Sequence, residues 1–314
     1  MSSTTFSHSP PSLPVVFPTG VVTIHLLLPF FSSILTVFGL LLLKRAQAQA
    51  TSTWATLIVV TWLTAIAFTP LTLTGGTMQP LSQFWQPLSV GALFLAGLGF
   101  TFLGIKIGDV SIVTPVQGVK VLLVPAMALL IFNDVAGMQI WISAAIALAG
   151  ILFIQSTDGE VDRARIRISI LCALLAAVSL TFFDLFIQKW APAWGGAGYF
   201  LPLSFGCTAV LSLGLLPFAR PSQRTIRSQL CWPLIVGSLL MAVQAFGMTF
   251  TIATFGDATR VNIVYSLRGL WGVLLTWTLS RSLGLTATAP NSTLMLKRLA
   301  GAILIGVSIV LALL

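Results

Sequence analysis

The sequence predicts an all-α integral membrane protein with ten transmembrane helices, arranged as two inverted repeats of five helices each. The 314 residues are 57% hydrophobic and only 7% charged, with a mean hydropathy of +1.01. A soluble domain carries about 25% charged residues, so lipid rather than water is the expected solvent. Ten apolar runs have the length of a membrane span, and the second half of the chain repeats the pattern of the first.

The ten spans follow from apolar runs that are separated by polar residues or by proline and glycine. A helix needs about 20 mostly apolar residues to cross the hydrocarbon core of a bilayer. Backbone polar groups must be satisfied inside that core, and the alternating pattern of a membrane β-barrel is absent, so the spans are expected to be helices. In chain order the predicted spans are 21–43, 54–74, 86–105, 110–132, 138–156, 167–188, 198–219, 230–253, 258–280 and 298–314.

The domain organisation follows from these spans. Residues 1–20 contain Ser, Thr and Pro but no Lys or Arg, which predicts a flexible tail rather than a cleaved signal peptide. We expect the first five-helix repeat at 21–156, a connecting loop at 157–166 and the second repeat at 167–314.

The positive charges predict the orientation in the membrane. With the N-terminus outside the cytoplasm, twelve Lys and Arg residues fall in cytoplasmic loops, whereas the other side holds only Lys189 and Arg260. Cytoplasmic loops carry such an excess of positive charge. Both termini are therefore predicted to face away from the cytoplasm, in a plasma membrane (the inner membrane in a bacterium).

An internal repeat links two basic residues that lie inside predicted spans. Lys120 and Arg268 are 148 residues apart, and from Gly99 to Val124 eight of 26 positions are identical to the residue 148 positions later. Chance would give roughly two or three in so apolar a composition. Because each copy has an odd number of spans, the second must be inverted. Inverted repeats are typical of secondary transporters, with the substrate near the midplane, although duplication is also a simple way to build a helical bundle.

The repeated segments resemble the drug/metabolite transporter superfamily, of the EamA type. The first half carries GDVSIVTPVQGVKVLLVPAMALLIFND followed by IALAGILFI, and the second carries GDATRVNIVYSLRGLWGVLLTW followed by LAGAILIGVSIVL. In that family each half ends with a Pro-containing fourth helix and a Gly-containing fifth helix. The resemblance implies a ten-helix secondary transporter of small organic solutes, most often an exporter. The family is usually drawn with cytoplasmic termini, opposite to the orientation that the charges predict here.

Lys120 and Arg268 are the principal candidates for binding substrate. Each lies about ten residues inside its span, so about 15 Å deep at 1.5 Å per residue. A cation there costs at least about 3 kcal/mol on insertion scales, and a bound carboxylate or phosphate would neutralise it. The alternative is a structural charge paired with a carboxylate or with backbone carbonyl groups. The resemblance adds that the related plastid phosphate translocators bind their anion through basic residues on the fourth and ninth helices.

Four further residues are predicted to line the same site. Gln117 and Tyr265 precede the two cations by three residues and therefore share their helical faces; the alternative is a hydrogen bond between helices. Trp271 is predicted to wall the site or to stack on the guanidinium of Arg268, or simply to pack. Asn262, in the first turns of span nine, is a weaker candidate.

The acids and prolines near these spans have two interpretations each. Asp184 is a candidate for proton coupling, or a partner of Gln188 or Lys189 one turn further on. Asp109 and Asp257 begin spans four and nine, where they are predicted to cap the helix or to act in gating. Pro115 and Pro125 remove backbone hydrogen bonds inside span four, which is typical of a gate or of ordinary packing.

Composition and motifs narrow the function to transport. No cluster of His, Cys, Asp and Glu has metal-ligand spacing or the makings of a catalytic site, so we expect no metal, no cofactor and no enzyme activity. The basic residues are scattered, which argues against nucleic acid. The expected partners are the lipid bilayer and a small anionic or zwitterionic substrate. The alternatives are a multidrug exporter of cations, or a membrane enzyme or lipid-handling protein. The sequence leaves open a monomer or a homodimer.

Overall fold

The computed structural model describes residues 24–48, 52–107, 113, 116–132, 137–154, 163–219, 232–271 and 292–313. These ranges contain ten α-helices, several short 3₁₀ turns and no strand, which confirms the predicted all-α class for this part of the chain. The helices are α1 (Leu27–Ala48), α2 (Thr53–Phe68), α3 (Trp85–Ile107), α4 (Lys120–Phe132), α5 (Met138–Ile154), α6 (Arg163–Trp190), α7 (Ala197–Ser212), α8 (Trp232–Phe255), α9 (Ala258–Tyr265) and α10 (Ser292–Leu313).

Six helical segments of the described chain are long and apolar enough to cross a membrane. They contain α1, α2, α3, α6, α7 and α8, and three shorter apolar helices occur at Val116–Phe132, Met138–Phe153 and Ile303–Leu313. The structure is thus that of a multi-pass membrane protein, and the count of ten spans stays a prediction. The predicted loop at 157–166 is wrong at its end, because α6 already begins at Arg163. Hydropathy detects only the apolar part of a helix, whereas backbone hydrogen bonding continues into polar residues.

The outside of the bundle is apolar and its inside holds hydroxyl groups. Leu130, Val210 and Ile303 are 71%, 62% and 59% exposed, whereas Thr181 and Thr208 are fully buried. This distribution is the reverse of that in a soluble protein, where large apolar patches are rare on the surface. Lipid tails rather than water are the medium that such a surface fits.

The most extensive helix contacts are related by an exchange of helices five places apart. The contact of α1 with α8 has a counterpart in the contact of α6 with α3, when each helix is exchanged for the one five places away. By the same exchange, the contact of α2 with α8 corresponds to the contact of α7 with α3. The contact of α4 with α6 corresponds to the contact of α9 with α1. The pairs α5 with α10, α2 with α7 and α4 with α9 are their own counterparts. The halves therefore interleave, and α4 meets α9 between them.

Glycines allow the closest of these contacts. A Cβ atom on Gly91 of α3 would lie 2.6 Å from the carbonyl oxygen of Ser204 in α7. A Cβ atom on Gly150 of α5 would lie 2.8 Å from the carbonyl oxygen of Gly301 in α10. Helices in lipid associate through van der Waals packing of such small residues, since lipid offers no hydrophobic driving force between them.

Two connections meet at one end of the bundle. The amide of Thr77, between α2 and α3, donates to the carbonyl oxygen of Trp194, between α6 and α7, at 2.9 Å. The indole of the fully buried Trp194 donates to Oε1 of Gln86 at 2.9 Å. The turn after Trp194 uses Gly195 with φ of 74°, a conformation that glycine adopts without strain. The connection between α2 and α3 therefore lies at the same end of the bundle as the connection between α6 and α7.

Candidate functional site

A small cavity lies where α4, α5 and α9 meet between the two halves. Its volume is ≈ 20 Å³, which is room for about one water molecule. Five of the six predicted substrate-binding residues lie among those that line the cavity, which are Gln117, Gly118, Lys120, Val121, Ile151, Asn262, Tyr265, Ser266, Arg268 and Gly269.

Both helices that carry the cations are interrupted just before them. Helical residues at 116–118 are followed by a turn at Val119, after which α4 begins at Lys120. In the second half α9 ends at Tyr265, a turn occupies 266–267, and helical residues resume at 268–271. Val119 and Leu267 are again 148 residues apart. Interrupted helices at equivalent places in two halves are a recurring way to build a substrate site in a membrane.

Lys120 is bound to a carboxylate. Its Nζ lies 2.7 Å from Oδ2 of Asp184 on α6, and the two side chains are 14% and 3% exposed. This ion pair is the structural alternative considered for Lys120, and the side chain lines the cavity as well. The predicted partners of Asp184, Gln188 and Lys189, were wrong, because α4 packs directly on α6 and brings Lys120 to the carboxylate.

Asn262 completes the surroundings of Asp184. Its Nδ2 donates to Oδ2 of Asp184 at 2.7 Å and to the carbonyl oxygen of Ala258 at 2.8 Å. Gln188, one turn beyond Asp184, accepts instead from the backbone N–H of Ala258 at 3.0 Å. The carboxylate is thus held by one residue from each half, and its charge is matched by Lys120.

Arg268 has no such partner in the described part of the chain. Asp184 and Asp257 are the acidic residues described: Asp184 pairs with Lys120, and Asp257 pairs with Arg260 and lies 3.9 Å from Nε2 of His25. The guanidinium carbon of Arg268 instead lies 4.9 Å from the centre of the Tyr265 ring. A cation over an aromatic face is attracted to it but keeps its hydrogen-bond donors free.

Tyr265 is held by a polar network that the sequence did not reveal. Its hydroxyl donates to Oε1 of Gln244 on α8 at 2.9 Å, and its oxygen lies 2.8 Å from Oγ1 of Thr36 on α1. Gln244 and Thr36 are 7% and 2% exposed. Buried polar side chains on two separate apolar helices were the available signal, but nothing in the sequence places them beside each other.

Trp271 packs rather than lining the cavity. Its indole Nε1 donates to Oγ of Ser33 on α1 at 3.0 Å, and its ring meets Phe30 edge to face with centroids 5.9 Å apart. Of the interpretations of Trp271, these contacts favour packing, and the guanidinium of Arg268 lies over Tyr265 instead. Both aromatics are three residues from Arg268, so spacing alone does not distinguish them.

Gln117 combines its two predicted roles. It lines the cavity and also donates from Nε2 to Oγ1 of Thr101 on α3 at 2.6 Å. This hydrogen bond ties the residues before α4 to the preceding helix.

The cap and break residues have mixed outcomes. Asp257 caps α9 as predicted, accepting from the backbone N–H of Arg260 at 3.1 Å. Pro125 lies buried inside α4, some residues after the observed turn at Val119. Asp109 and Pro115 lie outside the described residues, and the gating role of these four residues stays a prediction. Within the described ranges no group of three His, Cys, Asp or Glu side chains is placed to hold a metal ion.

Comparison with known proteins adds information on the fold alone. No sequence model of a known family matches this chain, and no curated protein matches it. A solved structure, described only as the crystal structure of a protein, is similar with a TM-score of 0.67 and 20% sequence identity. The match covers 92% of this chain and 96% of that chain. At this identity the likeness shows a shared fold, and function must be argued from the site.

Proposed function

We propose that this protein is a secondary transporter of small organic solutes, anionic or zwitterionic, that works by alternating access. The observation that carries the proposal is the state of Arg268. Its side chain lines a cavity inside an apolar helical bundle, and the described residues give it no carboxylate. An ionisable residue in this position marks a substrate or ion pathway in most membrane proteins.

A bound anion would complete what the site lacks. The guanidinium offers several N–H donors in a fixed fork that matches a carboxylate or phosphate. The ring of Tyr265 holds one face of that fork and leaves its edges for the ligand. The described cavity has room for about one water molecule, so binding of a solute requires the helices around it to separate.

The arrangement of the helices supports alternating access. The most extensive helix contacts have counterparts under exchange of helices five places apart, and the turns at Val119 and 266–267 are equivalent in sequence. We therefore propose ten spans in two inverted repeats, each able to adopt the conformation of the other. Such an exchange opens the cavity to one side of the membrane and then to the other. The likeness to the drug/metabolite transporter superfamily, and export as the direction, belong to this proposal.

Transport by purified protein in liposomes tests the proposal. We expect uptake of labelled organic anions but not of a lipophilic cation. Arg268→Gln should lower the uptake of the anion at least about tenfold, since a charge-assisted interaction is worth about 1.5–3 kcal/mol. Arg167→Gln is the matched control, because Arg167 is exposed near the start of α6. We expect this variant to transport like the wild type.

The control outcomes separate the alternatives. Uptake of the lipophilic cation alone would favour the multidrug exporter. Full anion transport by Arg268→Gln would contradict the proposed site.

A further inference from the structure

We infer that the cavity selects substrates with one net negative charge, and that the anionic group binds to Arg268 rather than to Lys120. This inference rests on the proposed function and narrows its substrate class from anions and zwitterions to monoanions. The unequal surroundings of the two cations carry it.

The first step is a count of charges at the site. Lys120 and Arg268 line the cavity, and Asp184 lies 2.7 Å from Lys120. Whether the shared proton sits on Nζ of Lys120 or on the carboxyl group of Asp184, the pair contributes no net charge. Arg268 therefore leaves this group of side chains with one unbalanced positive charge in the described structure.

The second step is to ask which polar groups at the site are already bound to other protein groups. Asp184 is not among the residues that line the cavity, and its side chain is only 3% exposed. Lys120 and Asn262 lie between that carboxylate and the cavity, and both direct hydrogen bonds at its Oδ2. Their attraction for a ligand is therefore largely satisfied inside the protein. Arg268 meets the aromatic face of Tyr265 instead, so its N–H donors are available.

The third step is the free-energy cost of binding a substrate whose charge does not balance the charge of the site. Charges in a low-dielectric, water-poor site interact far more strongly than in water. A monoanion on Arg268 leaves the site neutral. A dianion adds a charge that Lys120 can balance only by leaving Asp184 unpaired, and a net-neutral zwitterion leaves Arg268 unbalanced. Breaking a buried pair on one side is strongly unfavourable.

Three probes with the same four-carbon backbone isolate this effect. Butyrate carries one negative charge, succinate carries two, and 4-aminobutyrate is a zwitterion with none. Their affinities for the purified full-length protein can be measured by titration calorimetry, with thermal stabilisation as a second readout. We expect butyrate to bind at least about tenfold more tightly than either of the other two, a factor that corresponds to about 1.4 kcal/mol.

Two variants test the net charge of the site with side chains of similar size. Asp184→Asn keeps an oxygen for the Asn262 amide but raises the net charge by one, so succinate should become the preferred probe. Adding Lys120→Gln to Asp184→Asn returns the net charge to one positive unit, so the preference for butyrate should return. Arg167→Gln, exposed on α6, should keep the wild-type order.

The outcomes distinguish failure of the charge inference from failure of the proposed transport function. Succinate or 4-aminobutyrate binding to the wild type as tightly as butyrate would overturn the charge inference and leave the transporter proposal standing. An unchanged preference in folded Asp184→Asn protein would overturn it too. If none of the three probes binds the wild type at tens of millimolar, the proposed anion site itself is contradicted. The wild-type order decides the inference even if a variant fails to fold.

Discussion

At the scale of single residues, the two cations that are 148 residues apart have different surroundings. Lys120 is bound to Asp184, whereas Arg268 lies over the ring of Tyr265. The residue 148 positions before Asp184 is Thr36, which is beside the hydroxyl of Tyr265. Asp184 thus neutralises Lys120, whereas the described residues supply no carboxylate to Arg268.

The ion pair predicts how the protein responds to loss of Asp184. Asp184→Ala should lower the free energy of unfolding by about 3 kcal/mol, because it leaves Lys120 without its partner inside the bundle. Asp257→Ala is the control, since Asp257 is more exposed and acts as a helix cap worth about 1 kcal/mol. Reversible unfolding in mixed micelles measures both. Equal losses for the two variants would show that the pair has no special role.

The ring beneath Arg268 makes a second prediction. Tyr265→Phe removes the hydrogen bond to Gln244 but keeps the aromatic face, so we expect a stability loss of about 1 kcal/mol with anion affinity nearly unchanged. Tyr265→Leu removes the face as well and should weaken anion binding about tenfold, within the range of a desolvated cation–π contact. Titration of each variant with an anion that the wild type binds measures the two affinities. Identical affinities for Phe and Leu would remove the ring from the site.

At this scale the sequence identifies the two buried cations but not their contacts, for a physical reason. A cation inside an apolar run stands out because it is costly there, so Lys120 and Arg268 could be found from the sequence alone. The partner of Lys120 could not, because pairing depends on how α4 and α6 are rotated against each other. The choice between the interpretations of Trp271 depends on packing in the same way, since Tyr265 has equal spacing from Arg268 and only helix packing distinguishes the two rings.

At the scale of helices, the breaks lie where prolines do not. The turns at Val119 and at 266–267 come just before the two cations, whereas the prolines of span four are Pro115 and Pro125. Proline marks where a backbone hydrogen bond is missing, but short turns with hydrogen bonds from residue i+3 to residue i occur without it. The amide of Gly269 donates to the carbonyl oxygen of Ser266 in this way, at 3.1 Å. The existence of these helices was therefore predictable, and the position of their breaks was not.

The close contact of α5 with α10 gives a prediction at this scale. A methyl group on Gly150 would meet the backbone of Gly301 at 2.8 Å, so Gly150→Ala should cost about 1–3 kcal/mol by overpacking. Gly206→Ala on α7 is the control, because a Cβ there meets nothing within 4 Å. It should be neutral or stabilising by up to about 1 kcal/mol, as alanine is the better helix former. Thermal unfolding compares them, and equal midpoints would contradict the tight contact.

At the scale of the whole molecule, the exchange of helices five places apart is the main regularity. The repeat in sequence leads one to expect it, and the helix contacts follow it. A constant offset between matching residues indicates a shared local fold, so the repeat is visible in the amino-acid sequence itself. The interleaving of α1 with α8 and of α3 with α6 is not, because sequence similarity says nothing about how two copies dock.

The charge distribution makes a prediction about orientation. A reporter fused to the C-terminus should be active if it works only outside the cytoplasm and inactive if it works only inside it, because the basic residues favour cytoplasmic loops on the opposite face. Paired fusions after Leu314 and within the predicted 157–166 loop provide opposite expectations in one experiment. The reverse pattern of activity would overturn the predicted orientation and agree with the usual arrangement of the resembling family.

The most direct test of Arg268 as the anion site is a ligand screen by thermal stability. A metabolite that binds only the folded protein raises its stability by RT ln(1 + [L]/Kd), about 2.7 kcal/mol at 100 times Kd. We predict that an organic anion stabilises the wild type and Arg167→Gln equally, and that Arg268→Gln folds but loses this stabilisation. An anion that stabilises Arg268→Gln as much as the wild type would contradict the proposal that Arg268 binds the anion.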